Sequence, residues 1–260
     1  GFIDYPFAVR QIGVSLPQPG PASNPLGTDA QRGANLQRLR DVNYGKTFTT
    51  RNQLGLTLDN LKAYLSYVFQ EVRTGGRQAN GGGVLGEGLY EGPWRVPEPA
   101  VRRAHLVSLE VEAQLGDFAE LVSATAGTFT KNTGSVDVTD LLLDLDYGYE
   151  GFPAFTGFTR SRAVNKQFNQ ELRLVSTHGG PLSWVLGGFY NEFRTSTSYR
   201  EFIPGFGASP TGIAFGVIPN ADDNEYASFG RSLTKERAVF GEATFKITPQ
   251  WQVTGGARYY

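Results

Sequence analysis

Cysteine is absent from the 260 residues, and so is methionine. Without a thiol there is no disulfide framework, no thiolate metal site and no cysteine nucleophile. With no methionine and no signal-peptide pattern at Gly1, the sequence is expected to be a piece of a longer protein. No run of about 18 apolar residues occurs, which excludes a transmembrane helix but not a membrane β-barrel, whose strands are only about half apolar. Neither sign of charge prevails: 24 basic and 25 acidic side chains leave a formal net charge of -1, so no global field draws a nucleic acid or an anionic bilayer surface. Histidine is scarce as well. His105 and His178 are the two in the chain, and neither lies in a nucleophile motif or among enough convergent groups for a metal site. An enzyme, a resident metal and a cofactor are therefore not expected.

What the chain does have is 33 Gly, 14 Pro and 13% aromatic residues, a balance that favours strands joined by turns. Period-two alternation, the signature of a strand, occurs in four hairpins. Leu54, Leu56 and Leu58 alternate with polar residues, and after Asp59-Asn60 the pattern resumes at Leu61, Ala63, Leu65, Tyr67 and Phe69. Val107, Leu109, Val111 and Ala113 precede a turn at Gly116-Asp117, after which residues 118–130 do not choose a face. Phe168, Leu172 and Leu174 oppose Asn169, Glu171 and Arg173 ahead of the Gly179-Gly180-Pro181 turn. Val239, Gly241, Ala243 and Phe245 lead to Thr248-Pro249-Gln250 and a last run through Trp251, Val253, Ala257 and Tyr259. Each run is about ten residues, enough for a tilted strand to cross a hydrocarbon core.

Between the hairpins, residues 73–104, 131–165 and 194–235 read as long Gly- and Pro-rich loops, far beyond what compact soluble domains usually carry. Strict alternation of short turns with long loops is the habit of an outer-membrane barrel, whose turns face the periplasm and whose loops face outward. Trp184 and Trp251 follow short turns, where an interfacial aromatic girdle would sit. The fold class expected is all-β: an antiparallel meander of hairpins forming part of a transmembrane β-barrel, with residues 1–45 a loop region and 46–260 the hairpins. A short helix over residues 29–40 is a further expectation. A soluble β-sandwich carrying a carbohydrate site is the alternative, because half-buried strands show the same alternation.

Two motifs carry less than they promise. GGGVLG at residues 81–86 has the spacing of a nucleotide-binding loop, but no apolar strand precedes it and no helix follows. DVTDLLLDLDYGYEG at residues 137–151 gathers Asp137, Asp140, Asp144, Asp146 and Glu150, yet departs from the Ca²⁺-loop pattern at Gly148 and lacks the closing Glu. Glu110, Glu112, Glu171, Arg173, Glu242, Lys246 and Arg258 recur on the polar sides of the strands, where they would line an enclosed passage and pair across it.

The wording of FNQELRLVS, WVLGGFYNE and AVFGEATFKITPQWQVTGGARYY resembles the barrel strands of TonB-dependent outer-membrane receptors, and the resemblance extends from about residue 44 onward. It implies a large plugged barrel, roughly 22 strands, of which this chain supplies about eight, in the outer membrane of a Gram-negative bacterium. Neither the plug domain nor the periplasmic coupling box is visible here. The implied role is energised uptake of a scarce solute such as a ferric siderophore, a haem-like chelate or an oligosaccharide. Implied partners are outer-membrane lipid, an extracellular small solute and a TonB-type energising protein engaged through the missing N-terminal part, with no nucleic acid. Candidate ligand contacts are loop aromatics and charges, Arg77, Tyr90, Trp94 and Arg95 with Asp144, Asp146, Tyr147 and Tyr149, because aromatic faces stack on sugars and chelators while Arg pairs with carboxylate or catecholate oxygen.

Overall fold

A computed structural model describes residues 1–10, 36–79, 87–139, 156–204, 213–214 and 224–260. Its strands are β1 (Tyr5–Val9), β2 (Leu36–Leu39), β3 (Gly45–Thr57), β4 (Leu61–Thr74), β5 (Ala100–Leu115), β6 (Ala119–Asp137), β7 (Phe158–Ser176), β8 (Leu182–Phe202), β9 (Asn224–Lys246) and β10 (Gln252–Tyr259). β3 to β10 form one antiparallel meander in chain order, with β3 and β10 as its two edges, so the sheet is an open arc. All four expected turns join consecutive strands at one end of this sheet. Gly116, with φ 61°, supplies the left-handed turn residue between β5 and β6.

The register turns the alternation into continuous rows. Leu54 pairs with Leu65, Leu65 with Leu109, and Leu109 with Thr125. Ser123 pairs with Leu172, Leu172 with Gly188, and Gly188 with Val239. β6 thereby acquires the face its sequence left open, with Leu121, Ser123, Thr125, Gly127 and Phe129 on the apolar side. That side is uncovered: Leu54, Leu186 and Val239 remain 72%, 55% and 63% exposed, and no second sheet of the described residues lies over them. Its polar members satisfy one another, since Thr125 donates to Gln170 at 2.6 Å and Gln170 to Ser123 at 3.0 Å.

Three expectations need correction. Strands β3 to β9 are longer than ten residues, reaching 21 in β8 and 23 in β9, and the segments between them contract to residues 75–99, 138–157 and 203–223. TSTSYREF and FTRSRAV are β-prone through Thr, Tyr, Phe and Val, but beyond the apolar band polar and charged residues enter both sheet faces, so alternation fades while the strand continues. Residues 1–45 are not only loop: β1 and β2 pair antiparallel, Tyr5 with Leu39 and Val9 with Leu36. The expected helix over 29–40 ends in strand at Leu36–Leu39, and residues 29–35 lie outside the described ones.

β1 is held by backbone bonds on its other side, where Asp4 N donates to Tyr90 O at 2.9 Å and Val9 N to Arg95 O at 2.8 Å. Ile3, Tyr5 and Ala8 bury against Leu39, Val42 and Trp94. Val9 and Val96 bury with Phe158 and Phe202, seating this small platform on the loop-side ends of β7 and β8. Phe158 and Phe202 stack at 5.3 Å and share the sheet face of the apolar rows.

Candidate functional site

Functional side chains gather on the platform and on the polar face of the sheet. The platform is tied by two buried carboxylates. Glu98 accepts from Tyr5 Oη at 3.2 Å, from Arg77 Nε at 2.8 Å and from the Asp137 backbone N–H at 2.8 Å. Asp137 accepts from the backbone N–H of Val96 at 2.7 Å, of Thr139 at 2.8 Å and of Arg95. Arg77 also donates to the Asp137 carbonyl at 3.0 Å, so four chain segments share one network. Burial, and after it the neighbouring Glu98 charge, pushes the Tyr5 hydroxyl far above the usual phenol range, which keeps it a donor at any physiological pH.

At the platform rim, Arg38 bridges Asp4, at 2.8 Å, and Glu91. Asp4 is held below its ordinary pKa first by the Asp41 backbone N–H and then by Arg38. Glu91 is likewise lowered, by the Gly88 N–H and Arg38.

These contacts sort the expected ligand residues. Arg77 and Trp94 do come together, with the guanidinium 4.9 Å above the indole ring, but Trp94 also packs on Tyr5 at 5.2 Å, and both serve the anchoring network. Arg95 is fully buried. Arg77 keeps an exposed side chain while it is held by Glu98, and Tyr90 is the exposed aromatic of the four: it is 61% exposed and stands edge-on to Phe2, 59% exposed, with centroids 6.2 Å apart. Sequence reading passed over Phe2, because nothing in GFIDY marks an aromatic that the fold carries to a rim assembled from distant segments. Asp144, Asp146, Tyr147 and Tyr149 lie outside the described residues, as does GGGVLG.

The polar sheet face carries the anticipated charges, pairing them both along and across strands. Arg173 meets Glu171 at 2.8 Å on β7, and Lys62 of β4 meets Glu112 of β5 at 3.7 Å. Gln167 donates to Asn191 at 3.0 Å and Asn191 to Glu236 at 2.8 Å, linking β7, β8 and β9. Arg258 lies over Phe189 and Phe240, 5.7 and 5.5 Å from their centroids. Phe240 in turn covers Gly187, where a Cβ would fall 2.2 Å from its ring. Such a face of amides, ion pairs and arginine-stacked rings is suited to a wet passage that lets polar solutes touch many weak partners.

No family model matches the chain, and no curated protein matches its sequence. Among solved structures, the RagAB peptide transporter matches over 82% of this chain and 27% of its own, with a TM-score of 0.53 and 10% identity. The RagAB peptide importer in its closed-closed state matches over the same shares at 12% identity with a TM-score of 0.49. The chain thus spans about a quarter of the transporter it matches. At such identity the likeness concerns the fold, an antiparallel barrel-wall meander.

Proposed function

We propose that this chain is wall and loop platform of an outer-membrane nutrient-uptake receptor that imports a scarce solute with energy delivered through a TonB-type protein. The observation that carries the reading is the uncovered apolar face of an eight-stranded sheet whose other face is polar and paired. A soluble sandwich would bury the Leu54, Leu186 and Val239 rows beneath a second sheet, and water would leave them a large unfavourable exposed surface. Facing hydrocarbon, the same rows are matched to their solvent, and every strand between the two edges is hydrogen-bonded on both sides.

The fold shared with a peptide transporter supports adding oligopeptides to the ferric siderophores, haem-like chelates and oligosaccharides considered as cargo. Energised import belongs to the parent receptor, in which a plug would gate the passage behind the polar face. On the loop side, Tyr90 with Phe2 is the aromatic rim we assign to first capture, and Arg77, Trp94 and Arg95 position it.

The test is uptake by cells expressing the full-length receptor, with oligopeptides, ferric siderophores, haem and oligosaccharides supplied as sole source of nitrogen, iron or carbon. Growth on one cargo that is lost on deletion of the receptor gene, and again on loss of the TonB-type protein, supports the proposal. Unchanged growth on all four classes removes the import role, and growth indifferent to the energising protein removes the coupling.

A further inference from the structure

The outward face changes character abruptly. From the turns up to Phe69, His105, Phe129, Phe168 and Tyr190, the apolar rows of β4 to β8 carry no Asp, Glu, Lys or Arg. Those rings form a row of their own, with Phe69 and His105 at 4.8 Å and His105 and Phe129 at 5.9 Å. Immediately beyond it the same face turns basic. Arg103 stands directly opposite Lys131, and Lys166 directly opposite Arg194. Like charges in facing positions are destabilising by themselves.

The acidic side chains in this belt, Glu71 and Glu192, are already engaged. Glu71 lies between Arg73 at 2.5 Å and Arg103 at 2.6 Å, and Glu192 between Arg194 at 2.5 Å and Lys235 at 3.6 Å. Arg162, Lys166 and Arg231 form no ion pair among the described residues. These three, with Arg194, Ser196 and Ser198, line two adjoining hollows of about 580 and 610 Å³ across β7, β8 and β9. A protein of net charge -1 has concentrated unpaired cations on one strip of one face.

We infer that this strip binds the phosphate groups of a phosphorylated glycolipid, the kind that fills the outer leaflet of an outer membrane. It deepens the barrel-wall reading and rests on it. Position selects a lipid over a soluble anion: Val164 and Leu233 line the second hollow beside its cations, and Phe168 and Leu172 continue β7 downward into the apolar band. A headgroup phosphate seated among Arg162, Lys166 and Arg231 therefore leaves its acyl chains against the rows beneath. The strip lies at the long-loop end, which in such barrels faces outward. Arginine and serine together supply the charge and the directed donors that a phosphomonoester dianion needs.

The experiment uses the full-length receptor purified from outer membranes in dodecyl maltoside. Retained lipid is quantified by mass spectrometry, and diphosphorylated lipid A, enzymatically dephosphorylated lipid A and phosphatidylglycerol are titrated in mixed micelles. The triple variant Arg162→Gln/Lys166→Gln/Arg231→Gln is compared with Arg173→Gln, which removes a cation from the opposite face. We expect wild type and Arg173→Gln to bind diphosphorylated lipid A alike, with the triple variant about 100-fold weaker at low salt and the gap narrowing as salt rises. Equal affinity of the triple variant, or equal binding of dephosphorylated lipid A or phosphatidylglycerol by wild type, overturns the inference. Failure of the barrel-wall reading shows itself separately, because the wild-type receptor would then be absent from the outer-membrane fraction.

Discussion

At the scale of single residues, Glu98 is the group on which the platform most depends. Its side chain is 3% exposed and serves Tyr5, Arg77 and the Asp137 backbone at once. Glu98→Ala leaves the buried Tyr5 hydroxyl and the buried Asp137 N–H without their acceptor, so we expect the platform to lose about 1–3 kcal/mol of local stability, read as faster hydrogen exchange over Tyr5–Val9. Unchanged exchange there would assign the anchoring to the apolar cluster around Trp94 alone. The rim behaves differently with pH. Asp4 and Glu91 have folded pKa values below their ordinary 3.8 and 4.5, so their contribution is complete above about pH 4.5 and is lost as pH falls through the depressed values. Exchange at Asp4 and Val42 is expected to rise below that point in the wild type and to depend less on pH in Arg38→Gln.

At the scale of elements, the two faces of the hairpins predict opposite tolerances. Leu186 lies in the middle of the outward band, and Leu186→Arg is expected to destabilise the folded receptor by about 2–4 kcal/mol, seen as a lower urea midpoint in lipid vesicles. Glu171→Gln on the inward face, where Arg173 is the lost partner, is expected to change that midpoint little. Equal sensitivity at both sites would contradict the assignment of faces. The hairpins were legible in the sequence because apolar and polar residues alternate wherever one face meets hydrocarbon. Legibility ended with the hydrocarbon: Ser196, Thr197 and Ser198 sit mid-strand in β8, yet with polar surroundings on both sides they read as loop. β1 was hidden for another reason, since its partners Leu36–Leu39 and Tyr90–Arg95 are distant in sequence and its five residues are too few to show a period.

At the scale of the whole molecule, net charge misled by averaging. The balance of 24 basic and 25 acidic groups hid a basic strip that register alone assembles from β4 to β9. The candidate ligand site was legible in the same partial way. Arg77, Trp94 and Arg95 lie in one interstrand segment, but the contacts that commit them to anchoring come from Tyr5, Glu98 and Asp137. Tyr90→Ala combined with Phe2→Ala is expected to weaken cargo binding by the full-length receptor while its level in the outer membrane stays constant. Retained affinity in that double variant would move capture away from this rim.

Within the meander each strand bonds only to its sequence neighbours, so construction needs no distant segment to be found before the next can be laid down. An insertion machinery could therefore stitch this arc into the bilayer one hairpin at a time, with the growing border always offered by the latest strand. Seam closure of the parent barrel is then the single step requiring a far partner, while the open rims of β3 and β10 are expected to cross-link to further strands of the full-length receptor and not to each other.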